Sequence, residues 1–336
     1  MGNPALNKQN LFGFKMQEGH QQAPTAADWV WVPYVDEPSF KWNPHPESID
    51  QADRIHHDHL LYPGGEWYEG SVSLQLCPGA VSSLVSWIQT RDVYNQGSWA
   101  SVYFVNYDTA ARHEIYAMDV KVAKAEFAIE TGSPLRVNLD LVGLAEGSIG
   151  GKPTTADYDG TEIAAPASIA PYICKETTFK YKATNGAGAY ASPTDTDYEI
   201  RNCSINIDNQ LQDPAEGMRF NGSANPYRLY NEGGVKVTGS FSRDFIDANV
   251  YNAFRNMYRS AAGWYIHDNT GALKISISRG TTLTIEIPRL GYNDHSSGMR
   301  GSRSGVLVES VDFIALGART SVSPGTVNTD FPIVLT

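Results

Sequence analysis

Cysteine is scarce in this chain of 336 residues, which holds only Cys77, Cys174 and Cys203. An odd number at wide spacing supplies neither a disulfide framework nor a zinc knuckle, so all three are expected as small buried hydrophobes in a reducing compartment. Long apolar runs are also missing. No segment approaches the roughly 18 apolar residues of a spanning helix, so a soluble protein with no membrane contact is expected. Residues 1–17 have no basic stretch followed by an apolar core, which argues against a secretory signal. Met1-Gly2 superficially suggests myristoylation, but Leu6 stands where that signal needs Ser or Thr. Positive charge is in deficit: 26 Lys and Arg against 37 Asp and Glu give a formal net charge of −11. Such a surface repels phosphate and argues against conventional DNA or RNA binding.

Catalytic motifs are equally sparse. Gly147, Gly150, Gly151 and Lys152 look like a phosphate cradle, yet the glycine spacing is wrong and Pro153 follows the lysine without an N–H to offer. No G-x-S-x-G turn occurs, and no cysteine has a histidine signature. The densest titratable cluster is His56-His57-Asp58-His59. On a strand only His57 and His59 would share a face, and no Cys or Glu completes a metal set, so a polar loop is the better reading. Acidic pairs such as Asp36-Glu37 are expected on any surface with this many carboxylates. Arg300-Gly301-Ser302-Arg303 reads as a hairpin tip. Trp29 and Trp31 alternate on one strand face, as in a sugar-stacking platform or a buried contact, and a subunit interface is the favoured reading. No cofactor or metal site is expected.

What is plentiful is strand-forming material. Apolar residues make up 41% and charged residues 19%, with 18 Tyr, 12 Phe and 7 Trp. The 30 Gly and 18 Pro punctuate the chain at short intervals, as in all-β folds.

The chain also resembles itself. Ser39-Phe40-Lys41-Trp42-Asn43 matches Ser204-Ile205-Asn206-Ile207-Asp208 at an offset of 165. Tyr68-Glu69-Gly70-Ser71-Val72-Ser73-Leu74 matches Asn231-Glu232-Gly233-Gly234-Val235-Lys236-Val237 at 163, and residues 139–144 match 311–316 at 172. Three matches in one order at nearly constant offset indicate an internal duplication. Each half then shows a short helical stripe, Val81, Leu84, Val85 and Ile88 in one, Ile246, Val250, Phe254 and Met257 in the other, with Asp247 as N-cap. Strands are expected at 99–107, 114–122, 126–129 and 135–144, and at 263–267, 273–278, 281–287 and 306–316. Arg279-Gly280 marks a tight hairpin turn.

Two long polar loops, 44–66 and 209–230, occupy the same place in each half, and loops of that length are commonly functional. Residues 148–171 are Gly-, Thr-, Ala- and Pro-rich and read as a linker. The expected organisation is a first domain over 1–147 with an N-terminal arm, the linker, a second domain over 172–320, and an extended C-terminal arm over 321–336.

This order of elements resembles the tail tube proteins of long-tailed, non-contractile bacteriophages, in particular their two-domain members. The resemblance spans about residues 11–320 and rests on Gly70-Ser71-Val72-Ser73-Leu74 leading into the 81–88 helix, on Val235-Lys236-Val237 leading into the 246–257 helix, and on the closing strands. It implies a mainly β fold of two tandem β-sandwich domains, each with one flanking helix, whose inner strands form a shared β-barrel. It implies a structural protein of the virion tail, not an enzyme, assembled in the host cytoplasm. Its partners would be itself, the tail terminator, the tape measure and the tail-tip proteins, with double-stranded DNA passing through unbound. Other virion β-sandwich proteins, such as capsid decoration or tail adaptor proteins, and a carbohydrate-binding or hydrolysing β-sandwich are the alternatives.

Single-domain members of that family form hexameric rings, so a duplicated chain would give the same outline from three copies. Four strands per domain make roughly 24. At about 4.8 Å spacing and about 40° tilt they enclose a barrel about 48 Å across, wide enough for a duplex after side chains are subtracted. Three chains at −11 each carry −33. The hairpin strands are the expected inner face, with Asp119, Glu126 and Glu286 as lumenal acids. Asp213, Arg219 and Tyr227 in one long loop, and Asp53 and His57 in the other, are the expected contacts between rings.

Overall fold

The computed structural model describes residues 10–24, 29–49, 60–106, 113–147, 152, 170–182, 199–219, 223–259, 270–297, 307–317 and 331–336. Among them the chain is mainly β, and its fourteen strands all pair antiparallel. In the first half come β1 (Asn10–Met16), β2 (Val30–Pro33), β3 (Lys41–Ile49), β4 (Leu60–Gln75), α1 (Val81–Gln89), β5 (Ala100–Asn106), β6 (His113–Glu130) and β7 (Arg136–Glu146). The second half has β8 (Thr177–Lys182), β9 (Ile200–Asp208), β10 (Lys236–Asp244), α2 (Asn249–Arg259), β11 (Gly271–Arg279), β12 (Thr281–Ser297), β13 (Val308–Ala315) and β14 (Val334–Leu335).

The strands follow the period of two in the sequence. On β7, Val137, Leu139 and Leu141 are buried while Asn138 and Asp140 face outward. The helices are short and depend on packing. α1 buries Val81, Leu84, Trp87 and Ile88. α2 buries Val250, Ala253 and Met257, with Phe254 packed alongside. Ile246, expected on that stripe, precedes the helix and is exposed. Asp247 acts as expected near the helix start, its carboxylate accepting the Asn249 N–H at 3.1 Å. Gly280, at φ 76°, turns β11 into β12 where the sequence places a tight turn.

Strand pairing runs β3-β4-β7-β6-β5-β1 in the first half and β9-β10-β13-β12-β11-β8 in the second. Both orders carry a register shift at the same place, between Val122 and Lys124 of β6 against β7, and between Tyr292 and Asp294 of β12 against β13. The halves join where β6 pairs β9, from Lys124 opposite Asp208 to Glu130 opposite Asn202. One buried core runs through both.

Register corrects one expected match. Gly70 faces Leu141, and at the equivalent place in the closing strands Gly239 faces Phe313. The counterpart of Gly70-Ser71-Val72-Ser73 is therefore Gly239-Ser240-Phe241-Ser242, six residues beyond the expected one, whose Glu232-Gly233-Gly234 precede β10. The doubled glycine there mimicked the motif without the strand.

Several elements are longer than the sequence indicates. β6 is one strand through 113–130 that carries its bulge within it, and β12 continues to Ser297. The segment 44–66 is not a free loop in its described parts, because β3 and β4 continue as a ladder past Pro44 opposite Glu66 to Ile49 opposite Leu60. The strand expected at 263–267 lies outside the described residues, as does the expected linker apart from Lys152, Ala170 and Pro171. Nor do the final residues extend as an arm. β14 pairs with β12, Ile333 and Leu335 are buried, and Gln89 of α1 bonds to both.

Candidate functional site

The joined sheet β3-β4-β7-β6-β9-β10-β13-β12 has two unlike faces. Its inward side carries Val72, Leu139, Phe127, Ile205, Phe241 and Val311, all buried. The other side is polar from strand to strand. Ser71, Asp140, Lys124, Asp208 and Lys236 stand directly opposite one another across five strands. Beside them run Ser73, Asn138, Glu126, Asn206 and Thr238 on the same strands. Further on, Ser240 faces Asp312, which faces Asp294.

Hydrogen bonds stitch this face across strands. Ser73 Oγ donates to Asn138 Oδ1 at 2.7 Å, Asn138 Nδ2 to Glu126 Oε2 at 3.0 Å, and Ser204 Oγ to Glu126 Oε1 at 2.9 Å. Glu126 thus ties β7, β6 and β9 together. Its neighbours alternate in sign, with Lys124 between Asp140 and Asp208, and Asp208 between Lys124 and Lys236. A face of this kind has no concentrated positive patch that would hold polyphosphate.

The loop from β9 to β10 is anchored to the first half. Arg91 Nη2 donates to Asn209 Oδ1 at 2.5 Å, and Asn209 Nδ2 donates to the carbonyls of Ile88 and Val122. Asn231 Oδ1 accepts the Gly97 N–H at 2.8 Å and Lys121 Nζ at 3.2 Å. Lys121 also donates to the Leu229 carbonyl at 2.8 Å and lies over the Trp99 ring. Burial, with the Arg91 guanidinium nearby, pushes Lys121 down to about 7; burial likewise lowers Arg91 to about 10. Farther along, Glu66 N donates to the Ala224 carbonyl and Asn225 Nδ2 to that of Leu144. No local motif announces this network, because its members are far apart in the chain.

Of the expected lumenal acids, Glu126 lies on the polar face. Asp119 is 2% exposed and accepts the Gln21 N–H at 2.8 Å; burial raises its pKa above the usual carboxylate value. It lies on neither open face. Glu286 sits on the outward side of the β11–β12 hairpin, 3.4 Å from Lys274. Asp140, Asp208, Asp294 and Asp312 were not singled out by sequence, although their alternation with buried neighbours could have revealed them.

Of the expected ring contacts, Asp213 caps a 3-10 turn by accepting the Ala215 N–H at 2.9 Å. Arg219 bonds the Glu216 and Met218 carbonyls, and Tyr227 is 49% exposed beside His20. Asp53 and His57 lie outside the described residues, as do the rest of the histidine cluster and Arg300–Arg303.

Trp29 and Trp31 do share a face, and Trp29 is buried against Tyr103 and Tyr116 in a small core of its own with Trp31 partly buried beside it, so the pair is no open sugar platform. Cys77 and Cys203 are buried as expected; Cys174 is half-buried. Burial pushes the Cys203 thiol up to about 12. Among the described residues no helix is long and apolar enough to cross a membrane, and no His, Cys, Asp and Glu cluster is placed to hold a metal.

A family model described as phage tail tube protein matches residues 61–315. No curated protein matches the chain.

Proposed function

The chain belongs to the phage tail tube protein family, a structural component of the virion tail, and from that premise we propose that three copies close into a pseudo-sixfold ring. Rings then stack into the hollow tube of a long, non-contractile tail, through which the genome is delivered. Each copy contributes two tube domains, 1–147 and 172–320, related by duplication. The observation that carries this reading is the repeated pairing order, β3-β4-β7-β6-β5-β1 and β9-β10-β13-β12-β11-β8, with its bulge repeated at the same place.

In this reading the polar face lines the lumen. The lumenal acids are Glu126, Asp140, Asp208, Asp294 and Asp312, and Asp119 and Glu286 are not among them. A basic bore would grip DNA by counterion release, whereas a mixed wall with an excess of acid lets it slide. Arg219 and Tyr227 remain open for contacts between rings, while the backbone of their loop is committed within the chain. Tail terminator, tape measure and tail-tip proteins would meet the ends and interior of the tube, and assembly would take place in the host cytoplasm.

Negative-stain imaging of purified protein, with particle mass measured alongside, tests the reading. Rings or tubes with six-lobed outline and three chains per ring are expected. A species that stays monomeric at high concentration in analytical ultracentrifugation, or rings of six chains, would overturn it.

A further inference from the structure

Two strand edges stand unmatched at equivalent places in the two halves. β9 is paired on both sides, to β10 and to β6. Its counterpart β3 pairs, among the described residues, only with β4. Conversely, β6 beyond its bulge pairs both β7 and β9, whereas β12 beyond the same bulge pairs, among the described residues, only with β13. The joint inside the chain is therefore built from one edge of each type, and one edge of each type is left over.

Resting on the ring reading above, we propose that these leftover edges pair between copies, β12 of one chain with β3 of the next, in the register of the β6–β9 joint. The register follows from the repeat. Ala125 faces Ile207 and Glu126 faces Asn206 in the chain. The equivalent pairs place His295 opposite Trp42 and Ser296 opposite Lys41 of the adjacent copy.

Backbone polarity agrees on the β3 side, while on β12 the His295 N–H is donated to Asp294 Oδ1 at 2.7 Å in the single chain and would have to be released on pairing. Ser39 N donates to the Ser71 carbonyl, so by the alternation of an antiparallel strand the N–H groups of Phe40 and Trp42 point away from β4. In β9 the matching residues point to β6, since Asn209 N donates to the Ala123 carbonyl and the Arg201 carbonyl accepts from Thr131 N. Pro38 and Pro44 flank Phe40 and Trp42 and offer no N–H, which confines pairing to a short stretch and protects the edge from indiscriminate association.

Side chains agree as well. Ile207 is 2% exposed at the internal joint, but Trp42, its counterpart, is 48% exposed. On the other leftover edge Tyr251 of α2 is 40% exposed, its ring 5.5 Å from His295. The two open aromatic surfaces sit where the register brings copies together. The contact is heterologous, β12 to β3, so repeated pairing runs head to tail, as the ring reading needs, rather than making a twofold dimer.

Cross-linking reads the register directly. The variant Lys41→Cys with Ser296→Cys, on a Cys174→Ser background, places two thiols directly opposite on the polar face, within disulfide reach. Oxidation of the assembled protein should give covalent chains that end at three copies. Lys41→Cys with Ser310→Cys, one strand farther away, should cross-link at least tenfold less. Trp42→Arg, at an exposed position, should keep the monomer's circular dichroism and melting temperature while reducing the assembled fraction at least tenfold. If unmodified protein forms tubes but the 41–296 pair does not cross-link, or Ser310 cross-links equally well, this joint is wrong and the tail tube reading stands. If unmodified protein forms no ring or tube, the ring reading itself fails, and the joint with it.

Discussion

Gly70 and Gly239 are held at one position of a repeated strand crossing. A Cβ on Gly70 would lie 2.5 Å from the carbonyl oxygen of Ser39, and one on Gly239 would lie 2.6 Å from that of Ser204. Side-chain carbons do not tolerate such approaches, so the close backbone contact requires glycine in each half. Gly70 is the tighter site, because Phe40 backbone atoms also stand 2.6 Å away and its φ is 142°, whereas Gly239 also meets the Phe313 ring, which can turn. Gly70→Ala should cost about 2–3 kcal/mol and Gly239→Ala about 1–2 kcal/mol. Urea unfolding of the two variants checks this, and a neutral Gly70→Ala would refute it.

Lys121 makes stability depend on pH. Burial lowers its pKa to about 7, while an unfolded lysine titrates near about 10.4. Between these values the unfolded chain binds more protons than the folded one, so stability rises with pH; the penalty is fully present below about 7. Lys121→Met removes that slope, which is at most about 1.4 kcal/mol per pH unit. It also leaves the Leu229 carbonyl and Asn231 Oδ1 short of a donor, at about 1–3 kcal/mol. The stability gap, parent minus variant, should therefore shift in the parent's favour from pH 7 to pH 9. A gap of constant size in urea melts at the two pH values would contradict the assignment.

Much of the fold was legible because two-residue alternation and short helical stripes are local signals. Residues 139–144 lie in β7 and 311–315 in β13, with Leu141 opposite Gly70 and Phe313 opposite Gly239. The Gly70 match went astray because Gly233-Gly234 offered a stronger local likeness than Gly239, and only the partners Leu141 and Phe313 decide between them. The polar face was harder to see. Glu126 was found, but Asp119 alternates just as plausibly, and its burial comes from the Gln17–Gln21 segment about 100 positions earlier. The Arg91, Asn209, Asn231 and Lys121 network is set by long-range packing that no spacing rule encodes.

The second half buries an ionic cluster where the first half is apolar. Arg243 Nε donates to Glu309 Oε1, His295 Nε2 lies 3.1 Å from Glu309 Oε2, and all three side chains are at most 2% exposed. Asp247 adds a partly exposed contact to Arg243 at 3.2 Å. Register places Leu74, Val137 and Ala125 at the matching positions of the first half, since Leu74 faces Val137 as Arg243 faces Glu309, and Ala125 faces Leu139 as His295 faces Val311. The same scaffold thus accepts either solution. Removing one partner leaves a buried charge uncompensated, so Glu309→Gln should cost about 3–5 kcal/mol. Replacing the whole cluster with the first half's own residues, Arg243→Leu, Glu309→Val and His295→Ala together, removes the desolvation cost along with the pairing. That triple variant should be neutral or up to about 4 kcal/mol more stable than the parent. Shorter side chains leave some space behind, which limits the gain. Denaturant melts of Glu309→Gln and of the triple variant decide the matter. A triple variant as damaged as Glu309→Gln would show that the two halves are not interchangeable at this layer.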